Sequence, residues 1–477
     1  MSKRKRRKRD KSPAKPHKGR EGKRGYSHEN ASVMGEVHDV KAPFIHRFAQ
    51  PLRQPFVLVI IAAYFVVCIG YAIVTPFGKA PDENAHHFYA RYIAEYHRLP
   101  VLQPGDEWHE AHQPPLFYLI GALIYSIADK IPYDGDAEVP PATIWALRLF
   151  CMLCGSITVL AAFHLSATLF PREPMYARFA IAFAGLHAMH AFINSSINSD
   201  NFAEALCSLL LIYIIWHLFT NRMDWWKAVT IGIFIGCIGI TKYLAWSALA
   251  GIGYAVGWNI IRFRIDVRRC IGYAFCMIGI ATILCGWWYI RNIAVYGDPL
   301  GQRVYIALSE HAAQPSWFFA MGYSVAGYFA FAARYLFWTF WGLFGLTDIF
   351  LPNWAYWMWL VPTVISATGI IRYWWRCRMG VYQLDDVKRG QWHFALIWLV
   401  ALLLLYLRFL TYYFSAQMRH LFPLFALIAL LFSLGIIEWL PEQVRERLRY
   451  PLPWAIAGLL FIYNMVCIMV VIPSAHM

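Results

Sequence analysis

The chain has 477 residues, of which 59% are hydrophobic, 17% aromatic and only 15% charged. Ordinary soluble domains carry about 25% charged residues, so the composition excludes a soluble globular class. It predicts an all-α, polytopic membrane protein, with most of the chain in lipid. The net charge of +15 is concentrated in residues 1–24, which hold thirteen Lys or Arg and two acidic residues.

Residues 1–50 are predicted to form a basic, disordered, cytosolic tail whose partner is anionic lipid. Contact of this tail with RNA is the alternative for so basic a segment, but no nucleic acid is assigned as a partner. The tail is not a signal peptide, because no short apolar region with a cleavage site follows it closely. Its charge also predicts that the amino terminus stays on the cytosolic side.

Apolar stretches of spanning length recur along the rest of the chain. The preferred topology has eleven transmembrane helices, within a range of 11 to 13. The expected spans lie near 55–74, 143–166, 177–194, 202–220, 227–241, 243–261, 271–290, 354–372, 392–412, 420–438 and 453–472.

Two further apolar stretches, 114–131 and 325–345, are borderline. Counting the first as a span would place the basic segments "NRMDWWK" and "RFRIDVRR" outside, against the positive-inside rule. The same reasoning applies to the second, which contains Arg334. Both are therefore predicted to lie on the membrane surface, within two long outer loops at about 75–142 and 291–353.

The stretch "TPFGKAPDENAHHFYARYIAEYHRLPV" follows the first span. A helix beginning at Asp82 would place its apolar residues on one face, with Glu83 and His87 directed elsewhere, and would lie on the membrane. Asp82 and Glu83 would then either cap the helix start after Pro81 or place a carboxylate at the water interface as part of a site.

Other polar residues are predicted to share this outer face. Asp200 begins a span, Lys242 lies in a tight turn between spans, Arg291 lies at a span exit, and "SAQMRHLFP" contributes Arg419 and His420. Charges at membrane depth are costly and usually functional. The alternatives are that Asp200 caps its helix and that Lys242 and Arg291 only extend to lipid headgroups.

Histidines in the first outer loop raise the question of a metal. They are His86, His87, His109 and His112. The sequence "HEAH" is not the H-E-x-x-H arrangement that places two imidazoles on one helical face for zinc. No cofactor is predicted, although a divalent metal is not excluded. All ten cysteines fall in spans or on the cytosolic side of this topology, so no disulfide framework is expected.

Seven ordered motifs carry a resemblance to a known family. They are "PDENAHHFYARYIAEYHRLP", "HQPPLFYL", "NSDNFAEAL", "GITKYLA", "WWYIRNIAVYGDPLG", "FWTFWGLFGL" and "QMRHLFPLFAL". Together they resemble the polytopic C-type glycosyltransferase superfamily (GT-C), in particular the protein O-mannosyltransferase and aminoarabinose transferase group and related bacterial membrane proteins. The resemblance covers about residues 55–440. It implies a catalytic transmembrane domain at 51–440, followed by a cytosolic loop and last helix at 441–477.

The resemblance also implies a reaction. A sugar would move from a polyprenyl-phosphate donor to a glycan, lipid or protein acceptor on the outer face of the bacterial cytoplasmic (inner) membrane. Asp82 would be the general base or the carboxylate that orients the acceptor, Glu83 its supporting neighbour and Asp200 a further acidic site residue. Lys242 would hold the carrier phosphate. Binding residues expected around the substrate are His86, His112, Gln113, Arg291, Arg419 and His420.

One position departs from the aminoarabinose transferases, in which a lysine precedes the proline of the first-loop return. Here that residue is Gln113, which supplies no charge, so phosphate binding is expected to depend on Lys242, Arg291 and Arg419. A non-catalytic lipid-phosphate binder or a glycan assembly or transport protein is the alternative function. A secondary transporter would be expected to show internal repeats and charges at mid-membrane, which this sequence does not show.

Overall fold

The structure is a computed structural model. It describes residues 43–475 apart from 104, 107–109, 134, 136–138, 221 and 309–312. The expected basic tail lies outside the described residues except for its last few positions, and His109 is also outside them.

The described chain is almost entirely helical. The α-helices are α1 Phe44–Ala49, α2 Pro55–Val74, α3 Glu83–Tyr96, α4 Leu116–Ala128, α5 Pro141–Leu169, α6 Pro174–Leu186, α7 Ala188–Asn194, α8 Ser199–His217, α9 Trp225–Gly239, α10 Ala248–Phe263, α11 Val267–Tyr296, α12 Gln302–Leu308, α13 Pro315–Ala320, α14 Val325–Trp341, α15 Asn353–Arg378, α16 Asp386–Leu410, α17 Phe425–Glu438, α18 Glu442–Leu448, α19 Pro451–Val466 and α20 Ile472–Ser474. Short 3₁₀ segments occur at Gln50–Arg53, Tyr243–Ser247 and Met418–Leu424, and a π-helical turn at Cys467–Val471. Strands β1 Leu343–Phe344 and β2 Ile349–Phe350 pair antiparallel, with Leu343 opposite Phe350.

Every predicted span coincides with a helical segment. Within the described residues, eight helices are long and apolar enough to cross a membrane, counting α17 and α19 with the short turns that adjoin them. The other three predicted spans correspond to α6 with α7, to α9, and to α10 with its preceding 3₁₀ turn. The all-α polytopic class is therefore confirmed.

The centre of the bundle is formed by α5, α8 and the Met418–Glu438 segment, which bury most of their surface. The helices α2, α11, α15, α16 and α19 bury about a third of theirs and leave rows of large apolar side chains exposed, as lipid-facing helices do. At the crossing of α15 and α17, Gly369 and Gly435 bring the two backbones together, and a Cβ on Gly435 would collide with the backbone of Ser366. Small residues permit such close crossings of membrane helices.

The two borderline segments form α4 and α14. Helix α4 packs on α3 and α5, and α14 leads into the β1–β2 hairpin. In the first long loop, the Leu116 amide donates to the Ile240 carbonyl at 3.0 Å, and the Leu102 amide donates to the Tyr296 hydroxyl at 2.9 Å. These bonds tie the loop to the ends of α9 and α11.

Helix α3 differs from the sequence prediction in two respects. It begins at Glu83, and Asp82 precedes it in the left-handed region at φ +61°, without a capping hydrogen bond from its side chain. The alternative in which the Asp82 side chain caps this helix is therefore wrong. Its buried face also includes Glu83, His86 and His87, which were expected to point away or were left without a role. These polar residues are buried because each has a hydrogen-bond partner inside the protein.

Candidate functional site

Four separated segments converge on one ionic cluster. Arg419, from the 3₁₀ turn before α17, donates from Nη2 to Asp82 Oδ2 and from Nη1 to Asp200 Oδ2, the latter at 3.3 Å. Lys242, from the turn after α9, forms an ion pair between Nζ and Asp200 Oδ1. Asp200 is thereby shared by both cations, and Arg419 bridges the two aspartates.

The local structure explains how these side chains are held. The Asn198 side chain caps α8 by accepting from the Asp200 amide at 2.9 Å, so Asp200 itself does not cap the helix and its carboxylate is available for the cations. Gln417 Oε1 accepts from Arg419 Nε at 2.7 Å and orients the guanidinium. The cluster is thus arranged by neutral amides on both sides.

A cavity of about 720 Å³, including the part open to solvent, lies over this cluster. Its lining includes six of the residues that the sequence singled out, namely Asp82, His112, Gln113, Lys242, Arg419 and His420. Tyrosines 243, 305, 412 and 413 form much of the remaining wall. Asp82 is 35% exposed by its side chain, whereas Asp200 is only 3% exposed. Asp82 is therefore the aspartate that a molecule in the cavity can reach.

The two histidines that line the cavity, both predicted binding residues, have defined partners. The His112 ring stacks on Tyr305, with centroids 4.4 Å apart. His420 Nε2 is hydrogen bonded to the Ser415 hydroxyl at 2.8 Å. Both rings therefore form part of a structured wall.

His86 lies behind the cavity and not in its lining. Its Nδ1 is 2.8 Å from the Tyr118 hydroxyl, which in turn donates to Gln113 Oε1 at 3.3 Å. Burial lowers the pKa of His86 to about 3, and the nearby negative charge of Asp82 is too weak to offset this effect. The imidazole ring is therefore neutral. His86 therefore orients Tyr118 and Gln113 and does not touch the cavity.

Glu83 also lies outside the cavity. Its carboxylate is fully buried and accepts from Arg148 Nε at 2.8 Å and from Arg148 Nη2 at 2.9 Å. The amides of Ile197 and Gly78 donate to the same carboxylate at 3.2 and 3.0 Å. Glu83 thus connects the start of α3 to α5 and to the loop before α8, and it supports Asp82 through the backbone.

Arg291 is not brought to the cavity either. Its Nη2 donates to the Pro100 carbonyl at 2.7 Å, and its guanidinium lies 4.8 Å from the centre of the Trp288 ring. This position does not support the expectation that Arg291 binds phosphate. The rotation of α11 about its axis directs the side chain to the first long loop, which it binds. Among the described residues, the cations lining the cavity are Lys242 and Arg419.

Two site residues were missed by sequence reasoning. Glu110 lines the cavity and is 3% exposed, and Arg148 is the buried partner of Glu83. Arg148 carried a signal, since a charge within a predicted span is usually functional or paired. Glu110 carried a weaker one, as the single acid between two histidines just before the first-loop return. Among the described residues, no group of three His, Cys, Asp or Glu side chains has the arrangement of a metal site.

The arrangement of helices in this chain is similar to that of solved structures. No family model and no curated protein matches the sequence. Two of the similar solved structures have a TM-score of 0.50. One is ArnT from Cupriavidus metallidurans bound to undecaprenyl phosphate, with a TM-score of 0.50 and 12% identity over 83% of this chain and 62% of that chain.

The other is the Archaeoglobus fulgidus oligosaccharyltransferase tethered to an acceptor peptide. It has a TM-score of 0.50 and 12% identity over 88% of this chain and 55% of that chain. The chain therefore spans about three fifths of the length of the first of these proteins and just over half of the second. At this level of identity the likeness establishes the fold.

Proposed function

We propose that this protein transfers a sugar from a polyprenyl-phosphate donor to an acceptor at the outer face of the membrane. The observation that carries the proposal is the Asp82–Arg419–Asp200–Lys242 cluster beneath a cavity. It combines an accessible carboxylate with two cations in a fold whose known members include a structure bound to undecaprenyl phosphate.

Asp82 is the general base. As the acceptor hydroxyl attacks the anomeric carbon, its proton passes to the Asp82 carboxylate, a step worth about 10²–10⁴-fold in rate when the base is well placed. Lys242 and Arg419 stabilise the negative charge on the departing phosphate.

Donor binding and base activation are linked through Arg419. In the structure, Arg419 donates a hydrogen bond to Asp82. A donor phosphate competes for the same guanidinium, because arginine pairs strongly with phosphate oxygens. When the phosphate takes over this donor, the Asp82 oxygen becomes available to the acceptor hydroxyl. The Asp200 carboxylate keeps Arg419 and Lys242 in place during the exchange.

The orientation follows from the charge of the loops. The basic connections between α8 and α9, between α10 and α11, and between α15 and α16 face the cytosol under the positive-inside rule. The long loops and the ionic cluster then face outward, with the amino terminus inside. The same placement puts the basic tail against anionic lipid of the inner leaflet.

The test compares wild-type protein with Asp82→Asn, using a panel of undecaprenyl-phosphate-linked sugars and mass spectrometry of the products. Asn removes the base but is compatible with the left-handed backbone of residue 82. We expect transfer to fall at least about 10²-fold while undecaprenyl phosphate still binds. Asp129→Asn, an exposed carboxylate at the end of α4, is the matched control.

Unchanged transfer by Asp82→Asn would refute the base assignment. A wild-type protein that binds undecaprenyl phosphate but transfers no sugar from the panel would instead support a non-catalytic carrier-binding role. Uptake of substrate by vesicles containing the purified protein would favour transport.

A further inference from the structure

Glu110 is a buried carboxyl group in the cavity wall for which the general-base mechanism has no use. Its side chain lines the same cavity as Asp82 and is almost completely buried. The Gln113 backbone amide donates to the Glu110 carbonyl at 2.8 Å, which closes a tight turn. The Gln113 side chain donates from Nε2 to Glu110 Oε2. The carboxyl group is therefore held in place by an uncharged residue.

The orientation of the Gln113 amide follows from its other partners. Its Oε1 accepts from the Ser199 hydroxyl at 3.0 Å and from the Tyr118 hydroxyl at 3.3 Å. In this orientation the amide oxygen faces the two hydroxyl groups and the NH₂ group faces Glu110. Ser199 is in turn 3.5 Å from Lys242 Nζ. This chain connects Glu110 to the cationic cluster through neutral groups.

Among the described residues, the charges of the ionic cluster are balanced without Glu110. Arg419 and Lys242 are matched by Asp82 and Asp200. An ionised Glu110 would add one uncompensated buried charge, which is unfavourable in a low-dielectric site. Burial, followed by repulsion from Asp82, accordingly raises the pKa of Glu110 to about 8, against the opposing effects of Lys242 and Arg419.

The other titratable groups around Glu110 do not change this balance. Four tyrosines from different elements surround Glu110, namely Tyr118 of α4, Tyr243 of the turn after α9, Tyr305 of α12 and Tyr413 of the segment after α16. Burial raises the pKa of each of them, so none is charged near neutrality. The imidazoles of His112 and His420 complete the wall. Glu110 is thus the carboxyl group of the described cavity wall that is placed to keep a proton at neutral pH.

We propose that Glu110 acts as the general acid of the transfer, giving its proton to the phosphate oxygen that leaves the sugar. This inference rests on the proposed function. The acceptor oxygen forms the new bond to the anomeric carbon and its proton goes to Asp82. The bond between the anomeric carbon and the phosphate oxygen breaks with its electron pair on oxygen, and that oxygen takes the Glu110 proton.

The proton balance closes within the cavity. After one transfer Asp82 is protonated, Glu110 is ionised and the polyprenyl phosphate leaves as a monoanion instead of a dianion. Because both carboxyl groups line one cavity, the proton on Asp82 returns to Glu110 through solvent there. A single proton therefore serves both halves of the reaction. The protonated state of Glu110 also avoids repulsion of the incoming anionic donor.

The test uses the full-length protein in detergent or nanodiscs and compares wild type with Glu110→Gln. Gln preserves the shape and both hydrogen-bonding functions of a protonated Glu but has no acidic proton. We expect the transfer rate near pH 7 to fall about 10²-fold, with binding of undecaprenyl phosphate within threefold of wild type. Glu95→Gln, a solvent-exposed residue of α3, is the matched control.

Two pH measurements separate this role from a purely structural one. Infrared difference spectra should show a carboxylic acid band that is lost as the pH rises through about 8 and is absent in Glu110→Gln. Binding of undecaprenyl phosphate to the wild-type protein should weaken over the same pH range, because ionised Glu110 repels the phosphate. The phosphate itself has a second pKa of about 6, so its own charge does not change there. The variant should bind independently of pH there.

Gln113→Lys provides a second route if Glu110→Gln does not fold. A cation at residue 113 would pair with Glu110, which would then lose its proton. Gln113→Lys should therefore transfer sugar as slowly as Glu110→Gln, although it keeps the carboxyl group. A wild-type rate and pH profile in either variant overturns the general-acid role and leaves the proposed function standing. If wild-type protein neither binds undecaprenyl phosphate nor transfers sugar, the proposed function fails first.

Discussion

Replacement of Glu83 by Gln tests how Asp82, the proposed base, is positioned. The substitution removes one negative charge at the start of α3 and changes little in shape. Glu83 Oε1 accepts from Arg148 Nε and the Ile197 amide, whereas Oε2 accepts from Arg148 Nη2 and the Gly78 amide. Whichever way the Gln amide is turned, its NH₂ group must face two N–H donors.

The magnitude follows from burial. Glu83 is 0% and Arg148 4% exposed by side chain, so Gln leaves a guanidinium buried without a counterion. Breaking a buried pair in this way costs about 3–5 kcal/mol. Glu95→Gln removes the partner of Arg91 from the same helix, but that pair is solvent-exposed, and such pairs contribute about 0.2–1 kcal/mol.

Thermal unfolding of the purified protein, followed by loss of the monodisperse peak, measures both variants. Neutralising Arg148 as well, in Glu83→Gln/Arg148→Gln, should recover part of the loss, because the uncompensated charge is then absent. Transfer activity should fall with Glu83→Gln even below its unfolding temperature, since Asp82 is the preceding residue. Equal stability of Glu83→Gln and Glu95→Gln, or simple additivity in the double variant, would refute this reasoning.

Three further outcomes are expected. Asp200→Asn should lower stability by about 3 kcal/mol, and undecaprenyl phosphate should partly restore the melting temperature by neutralising the freed cations. Gly435→Ala should disrupt the α15–α17 crossing and lower folded yield, whereas Gly458→Ala, which meets no neighbour, should not. The pKa of Glu110 is raised from 4.5 to about 8 on folding, so the folded state binds the extra proton and wild-type stability falls as pH rises through this interval. Glu110→Gln should lack that fall and melt at a higher temperature than wild type at pH 8, and identical pH–stability curves would contradict this.

Much of the fold follows from the sequence because lipid imposes strong rules. Every backbone group in a membrane must be bonded within its own element, so apolar length predicts helices well. The distribution of Lys and Arg then predicts that α4 and α14 lie on the membrane surface and are not spans. Both are helices at the expected places, and no tertiary information was needed for either.

The rotation of helices about their axes was less predictable. Arg291 was assigned to the site from its place at a span exit, but the packing of α11 directs it to the Pro100 carbonyl. Glu83 was expected to point away from the buried face of α3, yet Arg148 from α5 draws it inward. Hydrophobic periodicity cannot reveal a buried ion pair, because the partner lies 65 positions away in the chain.

Glu110 shows a related difficulty. Its environment is formed by the loop before α4, by α12 and by the turn before α17, which are distant in sequence. The sequence shows a carboxyl group in a loop. Only the assembled cavity shows that its side-chain donor is the neutral Gln113 and that no cation among the described residues forms an ion pair with it. The identity of the four cluster residues was accessible from charge and position, whereas their pairing was not.

The backbone of residue 82 constrains how this protein can vary. At φ +61°, glycine, asparagine and aspartate are the residues most readily accommodated. Of these three, aspartate alone supplies a carboxylate, and a single nucleotide change converts its codon into one for asparagine or glycine. Under the proposed function, a descendant that lacks the base but still folds and still holds a lipid phosphate is therefore one mutation away. If Asp82 is the base, the residue at this position should distinguish chains that transfer sugar from those that do not.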